Sequence, residues 1–175
     1  MNERRFRHAS ILVVTDNVAN AVLVKRLLGD AFDNVRTASP VPDPVASFEE
    51  VMPDVVVLAF DGMEKSHDFC RALRSKSQAA HAHAHRTIAL CAKDALRQAF
   101  QDCQAGAFDD YVLFWPMAQD GLRLHMSIHI ALRELAAQAQ SDPGGTGPAG
   151  DPPASRAQDG RGAHRARQPR DCPHR

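Results

Sequence analysis

The stretch Val55-Val56-Val57-Leu58-Ala59 is preceded by Pro53-Asp54 and followed by Phe60-Asp61-Gly62. This short, unbroken and mostly β-branched apolar run is typical of a strand covered on both faces, as in the centre of a parallel sheet. Ligands bind to open parallel sheets at the carboxyl ends of the strands. Here that end is Ala59, whose side chain has no functional group. We therefore expect the reactive centre of this sheet to be missing or displaced.

The chain on both sides of this stretch alternates apolar strands with amphipathic helices. Strands are predicted at residues 10–14, 34–38, 55–59, 87–91 and 111–115. Helices are predicted from Val18 to Gly29 with Asp16 or Asn17 as the cap, through Phe48 to Met52, and over residues 64–77, 94–105 and 118–138. Five successive strand–helix units predict an α/β fold, a doubly wound parallel sheet with right-handed crossovers.

The composition divides the 175-residue chain into a body and a tail. Residues 1–138 are long enough for one domain with a substantial core. From Ser141 onward Pro, Gly, Ala, Arg and Asp replace the large apolar residues, and such a segment cannot bury enough surface to offset its ordering entropy. We expect residues 139–175 to be a disordered Pro/Gly/Arg-rich tail, or alternatively a linker to a further domain.

Charge and cysteine content exclude several classes of partner. Before Ser141, fifteen Lys and Arg stand against seventeen Asp and Glu, which is not the positive field of a nucleic-acid binder. The scattered Cys70, Cys91, Cys103 and Cys172 fit reduced thiols in the cytoplasm. No apolar run approaches the roughly 20 residues that span a bilayer. We expect a cytoplasmic protein that binds neither nucleic acid nor membrane.

Three motifs carry a resemblance to a known family. They are residues 11–17 (Ile-Leu-Val-Val-Thr-Asp-Asn), residues 53–58 (Pro-Asp-Val-Val-Val-Leu) and residues 105–112 (Ala-Gly-Ala-Phe-Asp-Asp-Tyr-Val). With them, residues 10–137 resemble a response-regulator receiver domain of the CheY-like kind. The resemblance implies a five-stranded, flavodoxin-like three-layer sandwich, and a role in two-component phosphorelay signalling.

The residues that carry the family's chemistry are mostly replaced. In the family, an acidic pair and an aspartate ending the third strand hold Mg²⁺. That aspartate takes a phosphoryl group from a histidine kinase, and a Thr or Ser and a Lys contact its oxygens. The corresponding positions here are Thr15 and Asp16 for the pair, Ala59 for the acceptor, Cys91 for the hydroxyl, and Phe114, or Trp115 if counted from Pro116, for the lysine. Alanine cannot accept a phosphoryl group, so the resemblance implies a degenerate receiver without metal, cofactor or catalysis.

Two alternative functions remain open at this site. Asp61 lies two residues after Ala59, and strand alternation points it to the same side, so it is a candidate displaced phosphoacceptor with Asp16 as a Mg²⁺ ligand. Cys91 is a candidate thiol or small-molecule sensor, with Lys93 favouring the thiolate. Against these, a loop carboxylate and an inert buried cysteine are the ordinary interpretations.

The last helix suggests a protein partner. Leu124, Ile128 and Leu132 belong to the predicted core stripe, whereas a second apolar stripe lies nearly opposite. That stripe, with the aromatic residues of the adjacent strand, forms the predicted interaction surface: Tyr111, Trp115, Leu122, Met126 and Ile130. An exposed stripe of this kind predicts binding to a protein partner or self-association. Phe114 or Trp115 alternatively fills the vacated acidic pocket.

Two histidine patterns are candidate metal sites. An extended backbone would place His81, His83 and His85 on one side, although no acid or cysteine is adjacent and a solvated loop is the simpler interpretation. His125 and His129 are four residues apart on the last helix, where packing or solvation is the simpler interpretation. We therefore expect no metal site from either pattern.

Overall fold

The computed structural model describes residues 6–40, 43, 45–114 and 121–141, all within one compact unit. The strands are β1 (Ser10–Val14), β2 (Asn34–Ala38), β3 (Val55–Leu58), β4 (Arg86–Cys91) and β5 (Asp110–Leu113). The helices are α1 (Val18–Gly29), α2 (Ala46–Val51), α3 (Met63–Lys76), α4 (Gln78–Ala82), α5 (Leu96–Gln104) and α6 (Gly121–Ser141). Within these ranges the structure contains no helix that is long and apolar enough to cross a membrane.

The five strands form one parallel sheet in the order β2-β1-β3-β4-β5. β3 lies at the centre, between β1 and β4, and its four residues are all buried. In the register, Val14 lies beside Leu58, and Leu58 lies beside Ala89. The predicted doubly wound, flavodoxin-like sandwich is therefore confirmed.

Side-chain alternation along the strands divides the core into two clusters. Ile11, Val57 and Ile88 face α1 and α6 in the first cluster. Leu12 and Val56 face α2, α3 and α5 in the second. Ala59 continues the first cluster beyond the end of β3, so the end of the central strand lies under α1 and α6.

The helix ends follow from local chemistry. Asn17 caps α1, because its Oδ1 accepts hydrogen bonds from the backbone N–H of Ala19 (2.9 Å) and of Asn20 (3.4 Å). After α5, Gly106 has φ +74°, a left-handed conformation that favours glycine. This confirms the predicted stop of that helix, although its first turn, Lys93–Ala95, is a 3₁₀-helix.

Several boundaries differ from the sequence prediction. Residues 78–82, where a solvated loop around His81 was the simpler interpretation, form a short helix, with Ser77 Oγ accepting from Ala80 N as the cap. β5 ends at Leu113, two residues early. α6 continues to Ser141, so residues 139–141 are helical and are not part of a disordered tail. Trp115, the predicted helix start at residues 118–120, and the predicted tail from residue 142 lie outside the described residues.

Candidate functional site

Ala59 lies at the carboxyl end of β3 with 1% of its surface exposed. Its backbone N–H donates to Val14 O (2.9 Å), which extends the ladder by one residue. Its carbonyl oxygen accepts from Thr15 Oγ1 (2.6 Å) and Asn20 Nδ2 (3.3 Å). The position that the resemblance assigns to the phosphoacceptor therefore holds a buried methyl group, and the carbonyl oxygen of Ala59 already accepts two hydrogen bonds.

Phe114 follows β5 and is buried in the same apolar cluster as Ala59. Its backbone N–H donates to Cys91 O (2.8 Å), which fixes the strand end beside β4. The side chain thus packs inward at one of the two positions, Phe114 or Trp115, that the resemblance assigns to the family's lysine. The alternative prediction was that Phe114 or Trp115 fills the vacated acidic pocket; Phe114 packs in the apolar cluster, and Trp115 lies outside the described residues.

Asp16 is bound to a lysine that the family mapping did not include. Lys65 Nζ, in the first turn of α3, donates a hydrogen bond to Asp16 Oδ2. This hydrogen bond and the charge of Asp16 raise the pKa of Lys65, with a further contribution from the charge of Asp61. The ammonium group is therefore attracted to both carboxylates at this edge of the sheet.

Asp61 is exposed, and both of its carboxylate oxygens accept hydrogen bonds from amide side chains of the α1 N-terminus. Asn20 Nδ2 donates to Oδ1 (2.9 Å), and Asn17 Nδ2 lies 3.4 Å from Oδ2. Asn20 is itself buried and also binds Ala59 O, so Asp61 lies on the same side of β3 as Ala59. This is the side that strand alternation predicts.

These residues do not fit a Mg²⁺ ion well. Mg²⁺ requires several oxygen ligands in near-octahedral geometry, usually carboxylates and water. Here an ammonium group binds Asp16, and two amides bind Asp61. The described part of the chain contains no group of three His, Cys, Asp or Glu side chains that could hold a metal ion.

Sequence analysis missed Lys65 and Asn20 as site residues. The signal for Lys65 was its position in the first turn of the predicted helix that follows the β3 loop, where a basic side chain is close to the carboxylates at the sheet edge. The signal for Asn20 was its position three residues after the predicted cap Asn17. Both patterns were present, but neither matches a position of the family's motif.

Cys91 does not face the same side of the sheet as Ala59. It packs in the second cluster with Leu58, Phe60 and Ala99, and it is 3% exposed. Burial, and then the charge of Asp94, raise the pKa of its thiol. The structure therefore contradicts the prediction that Lys93 favours a thiolate at Cys91, because desolvation opposes the charged form.

The predicted interaction surface does not form one patch among the described residues. Leu122 (84% exposed) and Met126 (55% exposed) line a groove of about 660 Å³ together with Leu27 of α1. Ile130 is 39% exposed but is not part of the groove lining. Tyr111 packs against the second core cluster, on the other side of the sheet. Leu122 and Met126 therefore belong to an α1–α6 groove, from which Tyr111 is separated.

The histidine patterns are occupied by local contacts. His81 lies on α4 with Nε2 2.8 Å from Arg74 O, and His83 Nε2 lies 3.0 Å from Pro53 O. His85 Nδ1 lies 2.9 Å from His83 O. The rings of His125 and His129 pack against Phe32, with centroids 6.3 Å and 5.5 Å away. His81 lies on a helix, so the extended backbone that a three-histidine metal site would have needed is not formed, and the two helical histidines pack as the simpler interpretation predicted.

Comparison with known proteins finds similar solved structures but no matching family model. No family model and no curated protein matches the chain. Among solved structures, a response regulator receiver domain protein from Clostridium thermocellum is 28% identical with a TM-score of 0.57, covering 74% of this chain and 98% of that one.

Two further structures share the fold at lower identity. A response regulator from Desulfuromonas acetoxidans is 17% identical with a TM-score of 0.56, covering 73% of this chain and 98% of that one. A response regulator receiver modulated diguanylate cyclase from Pelobacter carbinolicus is 19% identical with a TM-score of 0.57, covering 75% and 98%. With the observed strand order, these likenesses show that the chain has the flavodoxin-like fold of response-regulator receiver domains.

Proposed function

We propose that this chain is a degenerate, cytoplasmic receiver domain that acts in signal transduction by protein–protein interaction without phosphorylation. The observation that carries the proposal is Ala59, a buried methyl group at the position of the phosphoacceptor, beside Phe114 in one apolar cluster. A methyl group offers no nucleophile. The receiver fold supports a role in two-component signalling. The altered site supports action through one fixed conformation of the domain rather than through a phosphorylation-dependent change of conformation.

The contacts of Asp16 and Asp61 support the same conclusion. A phosphoryl group on Asp61 would have to displace the amide hydrogen bonds from Asn17 and Asn20. A Mg²⁺ ion at Asp16 would have to displace the ammonium group of Lys65. We therefore propose that the domain requires neither Mg²⁺ nor another cofactor, and that it catalyses no reaction.

We propose that α6 provides the binding surface for a protein partner or for a second copy of the chain. Leu122, Met126 and Ile130 expose apolar surface along one side of the helix. Removing such surface from water stabilises a complex, since burial contributes roughly 25 cal/mol per Å² before the costs of association. Leu27 extends this surface across the groove to α1.

The test is a pair of double variants with matched exposure. Leu122→Glu with Met126→Glu places charges on the proposed surface. Val18→Glu with Val22→Glu places them on α1, where the two valines are 80% and 63% exposed. We expect the α6 variant to weaken self-association, or binding of a purified partner first captured with the wild-type chain, by about 30-fold, as loss of an interface anchor does. Sedimentation and calorimetric titration measure this.

The variant with Val18→Glu and Val22→Glu is the control, and it should keep wild-type affinity because its added charges lie on the exposed side of α1. Equal affinity for all three proteins would refute the α6 surface. Binding should also be unchanged by Mg²⁺ with a small phosphodonor, and by Asp61→Asn. A gain in affinity with the phosphodonor that Asp61→Asn abolishes would instead support phosphorylation at the displaced aspartate.

A further inference from the structure

Two loop carboxylates and one ammonium group meet at the carboxyl edge of the sheet. Asp16 follows β1 and Asp61 follows β3, and these two strands are neighbours. Lys65 lies in the first turn of α3 and donates to Asp16 Oδ2. The charge of Asp61 also acts on this ammonium group. The positive charge of Lys65 therefore partly neutralises the negative charges of both loops.

The remaining hydrogen bonds of the cluster hold the carboxylate of Asp61 in place. Asn20 Nδ2 and Asn17 Nδ2 reach one oxygen each, at 2.9 Å and 3.4 Å. Asn20 is buried, and it is tied to the sheet through Ala59 O. The oxygens that a hard cation would need as ligands thus accept hydrogen bonds from nitrogen donors of the chain itself.

We infer that Lys65 is a built-in counter-ion that replaces a divalent cation at this edge, ties the first turn of α3 to the β1–α1 loop, and keeps Mg²⁺ out. A tethered group competes with free ligands at an effective concentration on the order of millimolar or above. With Lys65 in place, the two carboxylates and the ammonium group carry one net negative charge. Without the ammonium group the net negative charge is two, and the attraction for a cation is stronger.

The inference predicts that removal of the lysine charge creates a divalent-cation site. In Lys65→Met the affinity for Mn²⁺, a cation that prefers carboxylate and water oxygens as Mg²⁺ does, should rise about tenfold or more over that of the wild type. The measurement is a Mn²⁺ titration of the full chain followed by amide NMR. The paramagnetic ion should broaden the signals of Asp16, Asn17 and Asp61 in the variant at concentrations that leave the wild type unchanged.

Three further variants make the result specific. Lys76→Met removes a charge from the last turn of the same helix and should behave as the wild type. Lys65→Gln should reproduce Lys65→Met, and it replaces that variant if Met disturbs folding. Adding Asp16→Asn to Lys65→Met should abolish the gain.

Two outcomes would overturn the inference. One is equal Mn²⁺ broadening in Lys65→Met and Lys76→Met, and the other is tight binding by the wild-type chain at Asp16 and Asp61. The inference rests on the part of the proposed function in which the domain does without Mg²⁺, and it is independent of the proposed α6 surface. Because the partner test uses α6 variants without Mn²⁺, failure of either proposal can be recognised separately.

Discussion

At the scale of single residues, Ala59 stands where the resemblance implies an aspartate, and the polar side chains around it are hydrogen-bonded to one another and to its carbonyl oxygen. Asn20 is the clearest case, because its buried amide binds both Ala59 O and Asp61 Oδ1. A buried amide is costly unless it is hydrogen-bonded, so these two bonds are what permits Asn20 to lie here. The polar side chains of the site thus form a hydrogen-bonded network around the buried methyl group of Ala59.

The thiols provide a residue-scale prediction. Burial raises the pKa of Cys70 and of Cys103 to about 11, and it raises that of Cys91 as well. Raised values keep these groups protonated at neutral pH, so alkylation should be slow and should increase about tenfold per pH unit below the pKa.

Alkylation of the Cys172→Ser chain with iodoacetamide, followed by mass spectrometry of peptides, measures the three rates. We expect Cys91 to react no faster than the partly exposed Cys103. A rate at Cys91 about tenfold above that of both other cysteines would contradict this and would revive the thiol-sensor alternative.

Sequence alone predicted some of the site residues better than others, and the reason is physical. Ala59 and Phe114 could be placed because they end or follow apolar strands, and strand ends in a parallel sheet share one edge. The pair of Lys65 with Asp16 joins residues 49 positions apart, and it depends on how the β3–α3 loop turns back. No periodicity encodes that turn, so the pair could not be predicted.

At the scale of elements, hydrophobic patterns predicted every strand but not every boundary. Alternation along a strand also determines on which face of the sheet each side chain lies. For this reason Tyr111 and the α6 groove lie on opposite faces. Tyr111 points to the second cluster, while its neighbour in the pattern, Val112, points to the first. The sequence interpretation treated Tyr111 and α6 as one surface because the resemblance implies a signalling face formed by the fifth strand and the last helix, although Tyr111 and the α6 groove lie on opposite sides of the sheet.

Two glycines at helix ends provide an element-scale prediction. Gly106 has φ +74°, whereas Gly29 ends α1 without a positive φ, and a Cβ at either position would meet no atom within 4 Å. Steric room for a Cβ therefore does not distinguish the two positions, and the effect of each substitution on stability depends on the backbone conformation. Gly106→Ala should lower the free energy of unfolding by about 1 kcal/mol. Gly29→Ala should raise it by about 0.5 kcal/mol.

Urea unfolding followed by circular dichroism measures both changes, and each variant serves as the control for the other. The opposite signs are the essential result. A loss of similar size in both variants would show that the left-handed turn after α5 is not what stabilises that helix end.

At the scale of the whole molecule, the chain has the receiver fold, and we propose that the chemistry at the edge of its sheet differs. The five-stranded parallel sheet with helices on both faces matches that fold. The residues that the resemblance assigns to the family's site lie where β1, β3, β4 and β5 end. A fold of this kind can present a binding surface on α6 without a change of state, and this is the central claim of the proposed function.

The most direct test of that claim is an amide NMR titration of the full chain with Mg²⁺ and then with beryllofluoride, which mimics an aspartyl phosphate. The proposed function predicts that the signals of Asp16, Asp61 and Tyr111 do not move, because Lys65 and the two asparagines already bind the carboxylates and Ala59 offers none. Saturable shifts at Asp61 that spread to Tyr111 would contradict it and would establish a working switch with a displaced acceptor.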